Sequence, residues 1–425
     1  MESLLHYVWK YRLYGSGDFK TTEGIPLEII DPGTHNTDAG PDFFNAKIKL
    51  NGKLWAGNIE IHTHASDWYK HKHQHDKAYN SVILHVVGQL DETRIDNQLG
   101  APIPQWVMRI PENIRENYLY LSNHNYPVPC LSRLREIPEI YWTDWKNALT
   151  SERLERKTQT IFHLLQTYSG DWNEVFYITL ARNFGFGINN DAFERLAKSL
   201  PLRYILKHSD SPQQVEALFL GQAGLLEEEI PDDDYYRSLQ QEYRFLGRKY
   251  ELQPLDASLF KSLRIRPNNF PHIKIVQLAG FIGAKQSLFS RILEKETIRD
   301  FQSLFFSDVP AYWETHYRFG KLSPRNKKGL GLSAIHILLI NTVIPILFAY
   351  GKSKNRDEWM QKAFDLLEAL PSEKNHIVNT FTRAGVKSAH AGDSQALIQL
   401  RKEYCDLKKC IFCRIGHRLL GRENE

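Results

Sequence analysis

Asn51-Gly52 constrains the chain more than any other dipeptide in it. Both residues tolerate positive φ, and they separate two runs of strand character, Ala46-Lys47-Ile48-Lys49-Leu50 and Leu54 to His62, so the pair predicts a β-hairpin. Pro26-Leu27-Glu28-Ile29-Ile30 reads as a strand before it. The run from Ser81 to Val87 reads as one after it, apolar enough to be buried on both faces. Ahead of them all, Leu4, Leu5, Val8, Trp9 and Leu13 recur at three- and four-residue steps and predict a helix over 3–14. The order is helix, three strands, a short helix and a strand.

Beyond Pro127-Val128-Pro129-Cys130 the periodicity turns helical, with helices predicted over 151–166, 191–200, 211–226, 235–249, 273–293, 334–350 and 357–369. A chain of 425 residues is too long for one core. Two domains are therefore expected: an α/β domain over 1–125, a mixed sheet flanked by helices, and a mainly helical domain over 126–425. Hydrophobic and charged shares of 42% and 24% are those of a globular chain, and a net charge of +4 permits a nucleic-acid partner without arguing for one. The N-terminus lacks a signal-peptide pattern. The apolar stretch Leu332 to Tyr350 carries His336, Asn341 and Pro345 and reads as a buried helix. A cytoplasmic protein with no membrane partner is expected.

The chemistry concentrates around the hairpin. Asp42 stands just ahead of its first strand, and Glu60 and His62 share one face of its second, because side chains alternate with period two. Two carboxylates hold a hard divalent cation through oxygen. Such a cation lowers the pKa of a bound water and stabilises charge on a phosphate, while a third polar group orients the water. Asp42 and Glu60 are thus candidate metal ligands, Glu28 or Glu2 an additional carboxylate, and His62 the water-orienting group. Taken singly, Asp42 also reads as a turn residue and Glu60 as an exposed strand position.

Pro41-Asp42 followed after 17 residues by Glu60-Ile61-His62 resembles the PD-(D/E)XK nuclease signature, with His62 where lysine is usual. Gln74 and Tyr79 are loosely similar to the glutamine–tyrosine motif of RecB-like members. The resemblance covers roughly residues 3–87. It implies a restriction-endonuclease-like fold and a nuclease that hydrolyses phosphodiester bonds in nucleic acid, DNA in the first instance, with Mg2+ or Mn2+. The departure at His62 touches the water-activation step. It supports an alternative, a non-catalytic nucleic-acid or protein interaction module that keeps the fold and a structural metal. Over its whole length the chain also resembles an uncharacterised bacterial family that brings no established activity. The residues carrying that likeness are Gly40-Pro41-Asp42-Phe43, Glu60-Ile61-His62, Ser66-Asp67-Trp68, Arg264-x-Arg266-Pro267-x-Asn269-Phe270-Pro271 and Cys410-x-x-Cys413-x-Ile415-Gly416.

Six of the 17 histidines fall between residues 62 and 85: His62, His64, His71, His73, His75 and His85. They admit a third alternative, a zinc hydrolase, although Ser66 stands where the metallo-β-lactamase spacing wants aspartate. His85, inside the apolar strand, reads as a satisfied core histidine.

At the other end of the chain, Cys405-x4-Cys410-x2-Cys413 has metal-ligand spacing. With Cys130 as fourth ligand the set suits an iron–sulfur cluster or zinc, and with His417 it suits zinc. Some PD-(D/E)XK nucleases similarly hold a four-iron cluster with one distant cysteine and a C-terminal trio. Two loops are locally basic, Arg264 to Pro271 and Ser323 to Gly329. Arg264 and Arg266 are candidate phosphate contacts there, or part of a surface turn. Tyr312, Trp313, His316, Tyr317 and Phe319 would stack bases or fill a core.

Overall fold

A computed structural model describes every residue except 16, 124, 125, 231, 285, 286, 307, 308 and 422–425. The chain packs as two compact units, Met1–Trp145 with Arg383–Val386 and Gln399–Glu425, and Lys146–Thr382 with Lys387–Ile398. Where the sequence suggests a boundary near residue 125, the first unit runs on to Trp145 and takes in the end of the chain. That unit holds a mixed sheet, and the second is almost wholly helical.

In the first unit, helix α1 (Glu2–Lys10) stops four residues short of its expected end, because Arg12 takes a left-handed φ of 54°. Seven strands follow: β1 (Phe19–Lys20), β2 (Pro26–Asp31), β3 (Thr34–His35), β4 (Phe43–Leu50), β5 (Lys53–His64), β6 (Val82–Gln89) and β7 (Gln105–Val107). Six run in the order β1-β2-β4-β5-β6-β7, with β3 paired to β4. The expected hairpin is present. Leu50 lies opposite Lys53, and Asn51 and Gly52 have φ of 47° and 77°, the two positive angles that a two-residue turn of this hand needs. β2, β4 and β5 are antiparallel, whereas β5, β6 and β7 are parallel.

A parallel step needs a crossover. Residues 65–81 supply it, with helix α2 (Asp67–Lys70) and two 3-10 turns, His73–His75 and Lys77–Ser81. One sheet face is apolar: Ile48, Ile59, Ile61, Leu84 and Val86 pack with Leu4, Leu5, Val8 and Trp9 of α1. The opposite face lies under a smaller cluster of Trp68, Tyr79, Val82, Ile95 and Ile103. Helix α3 (Glu112–Asn123) and the terminal helix Arg414–Leu420 complete this unit, joined by Asn117 Nδ2 donating to the Leu420 carbonyl.

The second unit carries the expected helices as Asn190–Ser199, Pro212–Gln222, Asp234–Tyr250 and Asp357–Ala369. The helix expected over 273–293 is two, Pro271–Gly283 and Leu288–Glu294. The apolar stretch forms a helix over Leu332–Lys354 that contains a π turn, Leu339–Val343, just before Pro345. Proline has no N–H for the carbonyl four residues back, which is that of Asn341. Asn183 Nδ2 donates to that carbonyl instead, at 3.1 Å, and to Thr342 Oγ1 at 2.9 Å. This helix is long and apolar enough to cross a membrane, and 67% of its most apolar window is buried inside the protein.

Candidate metal centre

The polar face of the sheet is built by register. Phe43 pairs with Ile59, which sets Asp42 opposite Glu60 at the end of the ladder. The two acids are locked together through the main chain. Asp42 N donates to Glu60 Oε2 at 3.1 Å, and Ile61 N donates to Asp42 Oδ2 at 2.8 Å. On the parallel side Glu60 pairs with His85, and His85 with Gln105, so three adjacent strands bring their polar side chains to one face. His62 joins this row two residues beyond Glu60. Burial on this face is nearly complete: Glu60 is 4% exposed, His62 2% and His85 0%.

The crossover adds two more imidazoles. Lys72, between His71 and His73, has a left-handed φ of 63°, and the turn swings both neighbouring rings toward His62. One ligand atom from each of His62, His71 and His73 lies within 4.8 Å of the other two. The individual separations are tighter. His62 Nε2 is 3.1 Å from His71 Nδ1 and 3.4 Å from Glu60 Oε1, and His73 Nε2 is 3.2 Å from the same oxygen. Tetrahedral donors 2.0–2.1 Å from a single ion stand about 3.3 Å apart, so these separations are those of one coordination sphere. His73 Nε2 is buried and makes no hydrogen bond of acceptable geometry, the Glu60 contact included. Tyr79 stacks on His73 at 3.8 Å between ring centroids, and Trp68 packs on its edge, holding the ring in place.

Hydrogen bonds behind the site fix which His62 nitrogen faces it. Gln105 Nε2 donates to the Glu92 carbonyl at 3.0 Å, leaving Gln105 Oε1 to accept from His85 Nδ1 at 3.1 Å. His85 Nε2 is then the acceptor for His62 Nδ1 at 2.9 Å. His62 therefore presents the lone pair of Nε2 to the cluster. Assigning the tautomers along a network in this way is the usual logic behind a metal-bound imidazole. The electrostatics agree. Burial, then His85, His73 and His71, push the His62 pKa down to about 2, and burial pushes His85 down to about 4. Burial and the Asp42 carboxylate push Glu60 up to about 9. Beside them His6, on α1, sits 3.2 Å from Asp42 Oδ2; burial opposes its charge, but the Asp42 carboxylate outweighs that and raises its pKa.

Glu60 and His62 thus come together on one face, while the Asp42 carboxylate, next to Glu60 through the main chain, turns to the Ile61 amide and to His6. Glu28 does not join them. It is exposed, paired with Lys49 Nζ at 2.9 Å, and level with Leu54 through Lys49. That is six residues along β5 from Glu60, roughly 20 Å. Gln74 lies beside His73 with its Oε1 buried and unpartnered. His64 contacts Asp67 at 3.6 Å, and His75 is exposed. His85 is a core histidine as expected, but one that orients His62. His6 carries no sequence signal for this role, since only the fold sets α1 beside Asp42.

In the second unit Arg264 and Arg266 are exposed on the loop before the 3-10 turn Pro267–Asn269. In the other basic loop the cations already have partners at two positions. Lys328 Nζ is buried and donates to the carbonyls of Trp313, Glu314 and His316, and Arg325 pairs with Glu314. Trp313 and Phe319 are core.

No curated protein and no solved structure matches this chain. A family model does match, over residues 2–376, and the chain belongs to that family, described as a protein of unknown function, DUF2851.

Proposed function

We propose that the first unit is a metal-dependent hydrolase acting on phosphodiester bonds of nucleic acid. The observation that carries this is the convergence of His62, His71 and His73, one ligand atom of each within 4.8 Å of the others, with Glu60 Oε1 3.4 Å from His62 Nε2 and 3.2 Å from His73 Nε2. Three imidazoles and one carboxylate are a donor set for zinc or another first-row transition ion more than for magnesium. When bound, such a cation supplies a water of lowered pKa and positive charge beside a phosphate. His62, held by His85, and His73, held by Tyr79 and Trp68, present fixed lone pairs. Glu60 contributes the anionic oxygen. His71 is exposed, so the solvent side of the cluster is the side that a substrate reaches. On the flank, His6, whose pKa burial lowers and Asp42 raises on balance, offers an N–H to a phosphate oxygen.

Support for the phosphodiester class comes from topology. Helix α1, antiparallel β2, β4 and β5, a short helical crossover and parallel β6 follow the order that the nuclease resemblance implies, with Asp42 before β4 and Glu60-x-His62 on β5. A second reading has its own observation: Glu60, His62 and His73 are nearly fully buried, and four protein ligands close a structural zinc site. That would make the unit an interaction module.

The two are separated by purifying the protein metal-free, adding Zn2+, Mn2+ or Mg2+, and assaying single- and double-stranded DNA, RNA, and a small phosphodiester. Cleavage that needs a transition ion and is lost in both His73→Ala and Asp42→Ala supports the hydrolase. Tight metal uptake with no cleavage of any of these supports the structural site.

A further inference from the structure

The chain contains four cysteines, and all four belong to the first unit. Cys130 precedes the 3-10 turn Leu131–Glu136, and about 275 residues of chain separate it from Cys405. Cys405 ends a π turn, Arg401–Cys405. The chain then reverses through Lys408, whose φ is 51° and whose Nζ donates to the Ser122 carbonyl of α3 at 3.0 Å. Cys410 and Cys413 flank a single 3-10 turn. Gly416 has no alternative there, since a Cβ would stand 2.0 Å from the Cys410 carbonyl oxygen. Cys130 and Cys410 both pack against the same apolar cluster as Ile411 and Leu420.

All four are free thiols. Burial raises the pKa of each, and for Cys130 and Cys405 the next causes are the other cysteines. At Cys413 hydrogen-bond donors partly oppose that burial. The amides of Ile415 and Gly416 lie against its sulfur and pull its pKa back down, as does the indole of Trp145. Trp145 Nε1 is buried, 5% of the residue being exposed, and has no conventional hydrogen-bond partner. The local rival, His417, is otherwise engaged. Its Nδ1 is 2.6 Å from the Tyr7 hydroxyl, its ring packs on Tyr11, and after burial its pKa responds to Arg418 and to no cysteine.

Spacing then selects the ligand. Thiolates around one zinc stand about 3.8 Å apart, from a Zn–S distance near 2.3 Å. Among the described residues the only group of three ligand atoms all within 4.8 Å of one another is the histidine trio. No three of the four sulfurs all lie within 4.8 Å of one another, a spacing wider than a single ion gathers. A cluster in which each cysteine binds a different iron asks for that wider spacing.

We propose that Cys130, Cys405, Cys410 and Cys413 hold an iron–sulfur cluster of the four-iron type, which fastens the C-terminal segment to the segment around Cys130 within one unit. It closes a loop of about 275 residues without a disulfide. The proposal is independent of the histidine site and of any activity there.

The test is metal analysis of the full chain purified anaerobically. The expected result is about four iron and four acid-labile sulfide per chain, with a broad visible absorption near 400 nm that dithionite bleaches. Cys130→Ser should lose most of the iron, whereas His417→Ala should keep it. If Cys130→Ser proves insoluble, Cys405→Ser and reconstitution of the metal-free protein with Fe2+ and sulfide carry the same comparison. One zinc per chain without iron overturns the proposal, as does iron retained in Cys130→Ser. Four thiols that titrate freely in protein that has neither metal nor absorption overturn it as well.

Discussion

Both units bury polar groups without a hydrogen-bond partner, but they differ in what surrounds them. In the second, the ammonium of Lys328 is matched by three carbonyls, and Glu216 accepts from Trp313 Nε1 at 2.6 Å and from Tyr235 Oη at 2.7 Å. The carbonyl freed by Pro345 has its own donor in Asn183. In the first unit the cluster around Glu60 is left incomplete. Three imidazole ligand atoms converge within 4.8 Å of one another beside that carboxylate, and His73 Nε2 makes no hydrogen bond. Thr158 Oγ1, His272 Nδ1, Arg318 Nε and Ser323 Oγ in the second unit are also unpartnered, but among the described residues none belongs to a group of ligand atoms close enough to share an ion. Burying polar atoms costs free energy unless they are matched. Where the protein supplies the match the group is architectural, and where several ligand atoms converge without one, something from outside is the match.

Substitutions should break this comparison differently in each unit. Glu60→Gln and His62→Ala should abolish metal-dependent cleavage and weaken metal binding by more than the 10–100-fold that outer-shell losses cost. Both should still fold, because in the metal-free protein they relieve crowding. Calorimetric titration with zinc and a thermal melt in chelator decide it. Unchanged affinity in both variants would remove the cluster from consideration as a metal site.

Lys328→Met should do the reverse. It strips three buried carbonyls of their donor at about 1–3 kcal/mol each before relaxation, so a fall in Tm on the order of 10 °C is expected, with zinc affinity unchanged. A melt superimposable on wild type would mean that water takes over those carbonyls and that the contrast between the units is overstated.

The legibility of the sequence follows the same division. The hairpin was readable because Asn51-Gly52 has few conformations open to it, and strand parity put Glu60 and His62 on one face. Helices with a stripe, such as Asp357–Ala369, were readable from their period. Trp172–Phe184 was not, because Val175, Phe176, Tyr177, Ile178, Leu180, Ala181 and Phe184 are buried all round the helix and leave no stripe to find. The candidate site was half legible. Asp42, Glu60 and His62 follow from local pairing, and the density of histidines pointed at residues 62–85. Which of them converge depends on the left-handed turn at Lys72, in a residue type that gives no warning of it. Mg2+ or Mn2+ was the natural expectation from two carboxylates. Only the crossover adds two further nitrogen donors, His71 and His73, to His62 of β5.

A smaller effect should separate ligands from the groups that orient them. His85→Ala removes the acceptor for His62 Nδ1 and leaves Gln105 Oε1 without its donor, but takes away no ligand atom. Zinc affinity should fall 10–100-fold, and Glu28→Ala, on the same sheet but remote, should change nothing. Equal losses in His85→Ala and His71→Ala would mean that His85 is itself a ligand.

The smallest effect is a pH dependence in the second unit, measured in chelator so that the metal centre is silent. Glu216 is 3% exposed, and burial outweighs its two donors, pushing its pKa from 4.5 up to about 7. The folded protein therefore holds a proton on Glu216 at pH values where the unfolded chain has released it. That contribution to stability is fully present below about pH 4.5 and is lost as pH rises through 7. At 1.36 kcal/mol per unit it amounts to about 3 kcal/mol at most. Glu216→Gln cannot titrate, and its amide still offers an oxygen to Trp313 Nε1 and an N–H to the Tyr235 oxygen. Glu174 is also raised to about 7 by burial, so wild type and variant should both lose stability between pH 5 and 8. The loss should be smaller in the variant, whose Tm should draw level with or pass that of wild type by pH 8. Parallel curves would mean that Trp313 and Tyr235 satisfy the carboxylate fully, which would make Glu216 the strongest case of internal matching in the molecule.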